Sequence, residues 1–308
     1  MRVLLLLIAL LLAACTRVET PQRSSLQLID LTDDFAAFQE RSASMDPAAR
    51  VEAFKAHFAT ILPGFYSTER VRSPRYNDAI RQALQNWPSD RAAIEQVSRG
   101  FSNMLAPAQA SFEREFGPLT GYPPIFLVHS LGEFDGGTRS LPGGSRLMFG
   151  ADMIARIYSG ISSRPFFHHE LFHLYHERRF GGCSQVWCDL WGEGLATYVS
   201  HRLNPRATDA ELLLTIPVPL REAVERDRRT AVCAALSRLD SSAREDLSAM
   251  FSNGRIGDLP GRFGYYVGYL VAAEAGRTRS LQQLAAMPQQ EVRPLVEASL
   301  RSMAQCPA

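Results

Sequence analysis

Lysine is almost missing from this chain. Lys55 stands alone among 33 basic residues, and the rest are arginine. The arginines are scattered instead of forming one stripe, so the bias reads as coding preference and not as phosphate recognition. An excess of either charge is missing too. With 33 basic against 32 acidic side chains the net charge is +1, which excludes a strongly basic nucleic-acid binder and an acidic solvating tail. Internal repeats, low-complexity tracts and long linkers are absent as well. What remains is ordinary globular composition, 46% hydrophobic and 21% charged, far from disorder. A length of 308 residues suits one large or two modest domains with a real core.

The N-terminus speaks to the compartment. Met1-Arg2 supplies a positive start, and Val3 to Leu12 is a run of ten apolar residues. A spanning helix needs roughly 20, so this run has the proportions of a signal peptide. It ends in Leu12-Ala13-Ala14-Cys15, which resembles the bacterial lipobox. That resemblance implies cleavage after Ala14, acylation of Cys15, and anchorage in a lipid bilayer. Thr16 in place of aspartate leans towards the outer membrane, facing the periplasm. Residues 16–25 are polar and contain a proline, as in a short tether. The expected layout is therefore a signal peptide over 1–14 and a tether over 15–25.

Residues 26–118 carry apolar side chains at three- and four-residue spacing and are predicted helical from LIDLTDDFAAFQ onward. Asp46-Pro47 and Ser89-Asp90 are predicted helix starts. From Pro123 the texture changes. PPIFLVHSL has strand character, GEFDGG reads as a turn, and SRLMFG is a second strand candidate. From Pro165 the pattern is helical again, with breaks near Asn204-Pro205, Asn253-Gly254 and Met287-Pro288. The predicted class is α+β and mostly helical, with a small mixed sheet ahead of a helical block. Residues 119–308 form the second expected unit.

Chemistry gathers in that block. His169, Glu170 and His173 form H-E-x-x-H. Residues four apart on a helix are turned by about 400°, so both imidazoles share one face about 6 Å apart along the axis. Both can hold one zinc ion, and Glu170 beside them can take a proton from water held on the metal. Glu193, in Trp191-Gly192-Glu193-Gly194-Leu195-Ala196-Thr197-Tyr198, follows His173 by 20 residues. A turn around Gly181-Gly182 could return it as the third ligand. Three protein ligands leave a fourth position open, the mark of a catalytic zinc, expected at one per chain.

Here the chain resembles the gluzincin metallopeptidases of the peptidase MA type, with their H-E-x-x-H helix and a glutamate on a second helix. It is similar in particular to the bacterial predicted zinc-dependent proteases, through FDGG, LMFGAD and GRFGYYVGY over roughly residues 120–275. The resemblance implies a gluzincin zinc site, a peptide or protein substrate, and Glu170 as general base. Tyr265-x-x-Gly268 resembles the element whose tyrosine donates to the oxyanion, which favours Tyr265 and keeps Tyr266 in reserve. It also implies that substrate main chain lies along a sheet edge, for which Arg146 to Gly150 is the expected strand. Arg262 could bind a substrate carboxylate, although a solvated arginine is the ordinary reading. Where thermolysin-like relatives carry an aspartate four residues after the ligand glutamate, this chain has Thr197. Asp189 and Asp152 are the remaining candidates to orient a ligand histidine. His168 and His176 are read as surface residues or as neighbours of the ligands, and His201 as not a ligand. A zinc hydrolase of a non-peptide bond, or a non-catalytic envelope lipoprotein with a structural zinc, are the competing readings.

Four further cysteines allow three disulfide connectivities. The preferred one pairs Cys183 with Cys188 and Cys233 with Cys306, as suits an oxidising compartment.

Overall fold

The computed structural model describes residues 26–66 and 74–306. The expected signal segment, Cys15 and the tether lie outside the described residues. Strand β1 (Leu28–Asp30) leads into helices α1 (Thr32–Arg41), α2 (Pro47–Ile61) and α3 (Pro74–Phe116). Strands β2 (Ile125–Val128), β3 (Gly136–Leu141) and β4 (Gly144–Gly150) follow. The rest is helical: α4 (Ala151–Ile157), α5 (Arg164–Phe180), α6 (Val186–Leu203), α7 (Leu220–Arg226), α8 (Arg228–Leu236), α9 (Arg244–Phe251), α10 (Phe263–Ala275), α11 (Leu281–Ala285) and α12 (Gln289–Met303). Among the described residues no helix is long and apolar enough to cross a membrane.

The sheet runs β1-β2-β4-β3. Ile29 lies opposite Phe126 and Leu127 opposite Phe149 in parallel pairings, and Thr138 opposite Leu147 in the antiparallel one. The class is thus α+β, mostly helical with a small mixed sheet. Two strands depart from expectation. Residues 28–30 are predicted helical but pair with β2, and helix begins only at Thr32. Asp30 sets that boundary by accepting from the Thr32 N–H at 2.9 Å and from the Ser98 hydroxyl of α3 at 2.7 Å. Gly136 and Gly137, read as turn residues, open β3. That strand makes β4 an interior one, with Leu147, Met148 and Phe149 fully buried. The expected peptide-binding edge at Arg146 to Gly150 is therefore wrong. The outer edge belongs to β3.

A third correction concerns α3. Ser89-Asp90 does not start a helix, because α3 passes straight through Pro88. An interior proline costs about 3 kcal/mol. Ile80, Leu84 and Ile94 stay in phase on the buried face, and burying each such side chain contributes about 1.5–3 kcal/mol. The Leu84 carbonyl, which Pro88 cannot serve, accepts from Gln39 Nε2 at 3.3 Å. Asp46 does cap α2, accepting from the Ala48 and Ala49 amides.

One apolar cluster runs from Phe35, Phe54 and Trp87 through Phe101, Phe149 and Phe167 to the last helix. Helix α10 crosses α6 backbone to backbone. A Cβ on Gly194 would sit 2.1 Å from the Gly268 carbonyl carbon, and one on Gly268 would sit 2.2 Å from the Leu190 oxygen. Glycine is required on both sides of that crossing. A disulfide joins Cys183 to Cys188 across the α5–α6 connection, and another joins Cys233 of α8 to Cys306 beyond α12.

Candidate metal centre

Helix α5 opens with Pro165 in its first turn, where a missing N–H is harmless. Phe166, Phe167, Leu171 and Phe172 are fully buried and hold the helix in the core. The four-residue period then turns His169 and His173 together towards α6. There Glu193 meets them. Its Oε2 lies 3.2 Å from Nε2 of each histidine, and the two Nε2 atoms are 3.0 Å apart.

Three such contacts around one point cannot all be hydrogen bonds. A neutral imidazole nitrogen either donates or accepts, and the angles of a triangle are far from linear. One cation among the three atoms would satisfy all of them. A tetrahedral ion with bonds of about 2.1 Å holds its ligand atoms roughly 3.4 Å apart, close to what is seen here. His169, His173 and Glu193 could therefore hold a metal ion.

The electrostatics agree with a charged cluster. Burial pulls His173 down, but the Glu193 carboxylate outweighs it and raises the group to about 9. Burial pushes Glu193 up, yet the His173 charge and hydrogen bonds from both histidines hold it well below the usual carboxylate range. His169 is lowered, chiefly by burial.

Glu170 stands beside the triad. Burial raises it to about 8, with Asp135 and Glu193 adding and His173 opposing. Its Oε2 is buried and meets no hydrogen-bond partner. Gly136 of β3 presses on it: a Cβ there would lie 2.8 Å from Glu170 Cγ and 2.7 Å from Phe166. Next to Gly136, the Asp135 carboxylate accepts from the Tyr158 hydroxyl at 2.9 Å. Sequence reasoning missed Gly136, Asp135 and Tyr158 as parts of the site. The D-G-G triplet was the available signal.

Tyr265 joins the same cleft of about 310 Å³, which β3 lines with Gly136, Gly137, Thr138 and Arg139. Its ring stacks on His169 with centroids 6.3 Å apart. The Gly194–Gly268 crossing puts it there, one turn before Gly268. Tyr266 does not reach the cleft, which removes it as a reserve donor. Its hydroxyl donates to Glu225 at 2.7 Å and accepts from Arg221 at 3.2 Å. Arg262 is not simply solvated, because its guanidinium lies over the Tyr265 ring at 4.3 Å.

His168 links three elements through Ser111, the Ala108 carbonyl and Asn204. His176 packs between Phe172 and Phe180, and His201 bonds Tyr269. None of these is among the triad. Asp152 accepts from the Ser130 and Gly132 amides and is not among the triad. Thr197 donates back to the Glu193 carbonyl. Asp189 lies one turn before Glu193. Burial raises it to about 6, with the Glu193 charge next and His173 opposing.

No protein family, curated protein or solved structure matches this chain.

Proposed function

We propose that this chain is a zinc-dependent peptidase of gluzincin type, carried on the bacterial envelope by acylated Cys15. The observation that carries the reading is the convergence of His169, His173 and Glu193 beside an unpartnered Glu170 carboxylate. A structural zinc has no use for such a carboxylate, whereas hydrolysis needs one.

In this reading His169, His173 and Glu193 hold the ion. When bound, it supplies Lewis acidity and brings the pKa of water it holds towards roughly 7. Glu170 takes the proton from the attacking water. It later returns that proton to the departing amine nitrogen. The Tyr265 hydroxyl donates to the oxygen that gains negative charge as the carbonyl is attacked. Gly136 and Phe166 fix Glu170 against sideways motion, and Asp135 sustains its affinity for the proton. The outer edge of β3, from Gly136 to Arg139, receives the peptide main chain by strand addition.

The test pairs metal analysis with digestion of a peptide library by the wild type and Glu170→Gln. Peptide cleavage that Glu170→Gln loses while keeping its zinc is the expected result. A zinc-loaded wild type that leaves every peptide intact rejects the reading.

A further inference from the structure

The segment Gly261-Arg262-Phe263-Gly264 is built under tight constraint. A Cβ on Gly261 would meet the Ser252 oxygen at 2.4 Å, and one on Gly264 would meet Phe251 at 2.6 Å and the Met250 oxygen at 2.8 Å. Between these glycines stands Arg262, in the left-handed region with φ 67° and ψ 5°. That conformation costs a non-glycine residue about 1–2 kcal/mol. A third glycine would adopt it freely, yet the position carries the longest side chain available. An outlier of this kind, next to a candidate site, points to a use for the side chain.

No use within the fold accounts for it. The Arg262 side chain makes no hydrogen bond or ion pair to any described residue. Its Nε is sealed from solvent and meets no acceptor. Its one defined contact is the face of Tyr265. Arg139, the other arginine near the cleft, differs. It donates to the Thr138 carbonyl at 2.9 Å and lies over the Phe134 ring at 4.3 Å. The Arg139 charge reaches Glu170, and the Arg262 charge reaches His169, Tyr265 and Tyr158.

A guanidinium held over the Tyr265 ring, without an internal hydrogen-bond partner and beside the candidate metal centre, is suited to an anion with planar, forked acceptors. We infer that Arg262 determines specificity by receiving a carboxylate of the substrate on the Tyr265 flank of the cleft. The inference rests on the peptidase reading for what the ligand is. The carboxylate is either the free C-terminus of a short peptide or an acidic side chain.

Binding measurements separate the two sources and do not require turnover. The protein is the zinc-loaded full chain carrying Glu170→Gln, which holds a peptide without consuming it. Calorimetry compares a neutral peptide with a free C-terminus, its C-terminal amide, and the same amide with one glutamate. One carboxylate form should bind about tenfold or more tighter than the neutral amide, the effect of one charge-assisted contact. Preference for the free acid identifies the C-terminus, and preference for the glutamyl amide identifies a side chain. Adding Arg262→Gln should abolish the preference with zinc still bound, whereas adding Arg139→Gln should leave it. Arg262→Gly should abolish it too while keeping or raising thermal stability, because the backbone strain is relieved. An arginine serving only to prop Tyr265 would not give that pattern. Equal affinity for all three peptides, or a preference that survives Arg262→Gln, overturns the inference. Discrimination without any cleavage by the wild type would sink the peptidase reading alone. Cleavage with no charge preference would sink the Arg262 assignment alone.

Discussion

Helix α5 carries four histidines, and its neighbours divide them into two environments. His169 and His173 face the Glu193 carboxylate across a polar gap. His168, next in sequence to His169 but turned away by about 100°, meets a serine hydroxyl, a backbone carbonyl and an asparagine. His176 shares a face with His169 by its seven-residue spacing. One turn further along, however, that face meets phenyl rings instead of a carboxylate. Identical side chains on one helix thus become metal-ligand candidates or packing according to what stands opposite. Helical spacing alone does not make the division.

The strongest way to break this comparison is to remove a proposed ligand. The wild type should carry about one zinc per chain, and His169→Ala, His173→Ala and Glu193→Ala should each lose it, read by metal analysis. Full zinc in Glu193→Ala would send the search for the third ligand elsewhere. Next come changes that spare the metal. Glu170→Gln should cut turnover by at least ~10² with zinc retained. Tyr265→Phe should lower kcat by about 10²–10³ with little change in KM. Tyr266→Phe should leave kcat unchanged and cost only about 1 kcal/mol of stability, the loss of its bond to Glu225. If Tyr266→Phe proves the slow variant, the donor has been misassigned.

The packing pair should respond in stability and not in metal. His168→Ala strips partners from Ser111 and Asn204 in the interior and should cost at least ~2 kcal/mol in urea unfolding, with zinc unchanged. Both packing histidines also confer a pH dependence. Burial holds His168 at about 4 and His176 at about 3. In the unfolded chain each titrates near ~6.5. Below that pH the unfolded state binds more protons, so their stabilisation is full above about pH 6.5 and falls as pH drops towards the folded values. Comparing His176→Leu with wild type across this range removes the contribution of the metal site. The variant should show the shallower decline, and equal slopes would contradict the assignment. The smallest effect is the same substitution near neutral pH. Removing a buried nitrogen that has no partner should stabilise the fold by about 1 kcal/mol. Loss of zinc in His176→Leu would move that histidine to the other pair.

The group that could hold a metal ion was legible in the sequence because the H-E-x-x-H spacing turns residues 169 and 173 to one side. Glu193 needed only a turn in between. The rest of the site arises from contacts across elements, which spacing cannot display. D-G-G shows two glycines, but not that one of them lies against Glu170 and Phe166. The E-G of α6 and the Y-x-x-G of α10 are visible separately, whereas their common reason, a backbone crossing, is not. In the fold, β1 has three residues, too few for alternation to register. Helix α3 passes Pro88 with help from Gln39, which reaches the Leu84 carbonyl from 45 positions away. Arg262 reads as any surface arginine until its backbone conformation is known.

The bond between Cys233 and Cys306 has a mechanical consequence. It turns the chain between them into a covalent ring, and α9 to α12 all lie on that ring. Arg262 and Tyr265 are therefore carried on a closed loop, not on a tail. Joining ends 73 residues apart removes unfolded-state freedom worth about 4 kcal/mol. It also changes what a single cut can do. A nick at the exposed Asn253 would leave both fragments on one molecule, free to re-pack around the same Gly194–Gly268 crossing. The cut chain would keep Tyr265 attached through an injury that would shed it from an open chain.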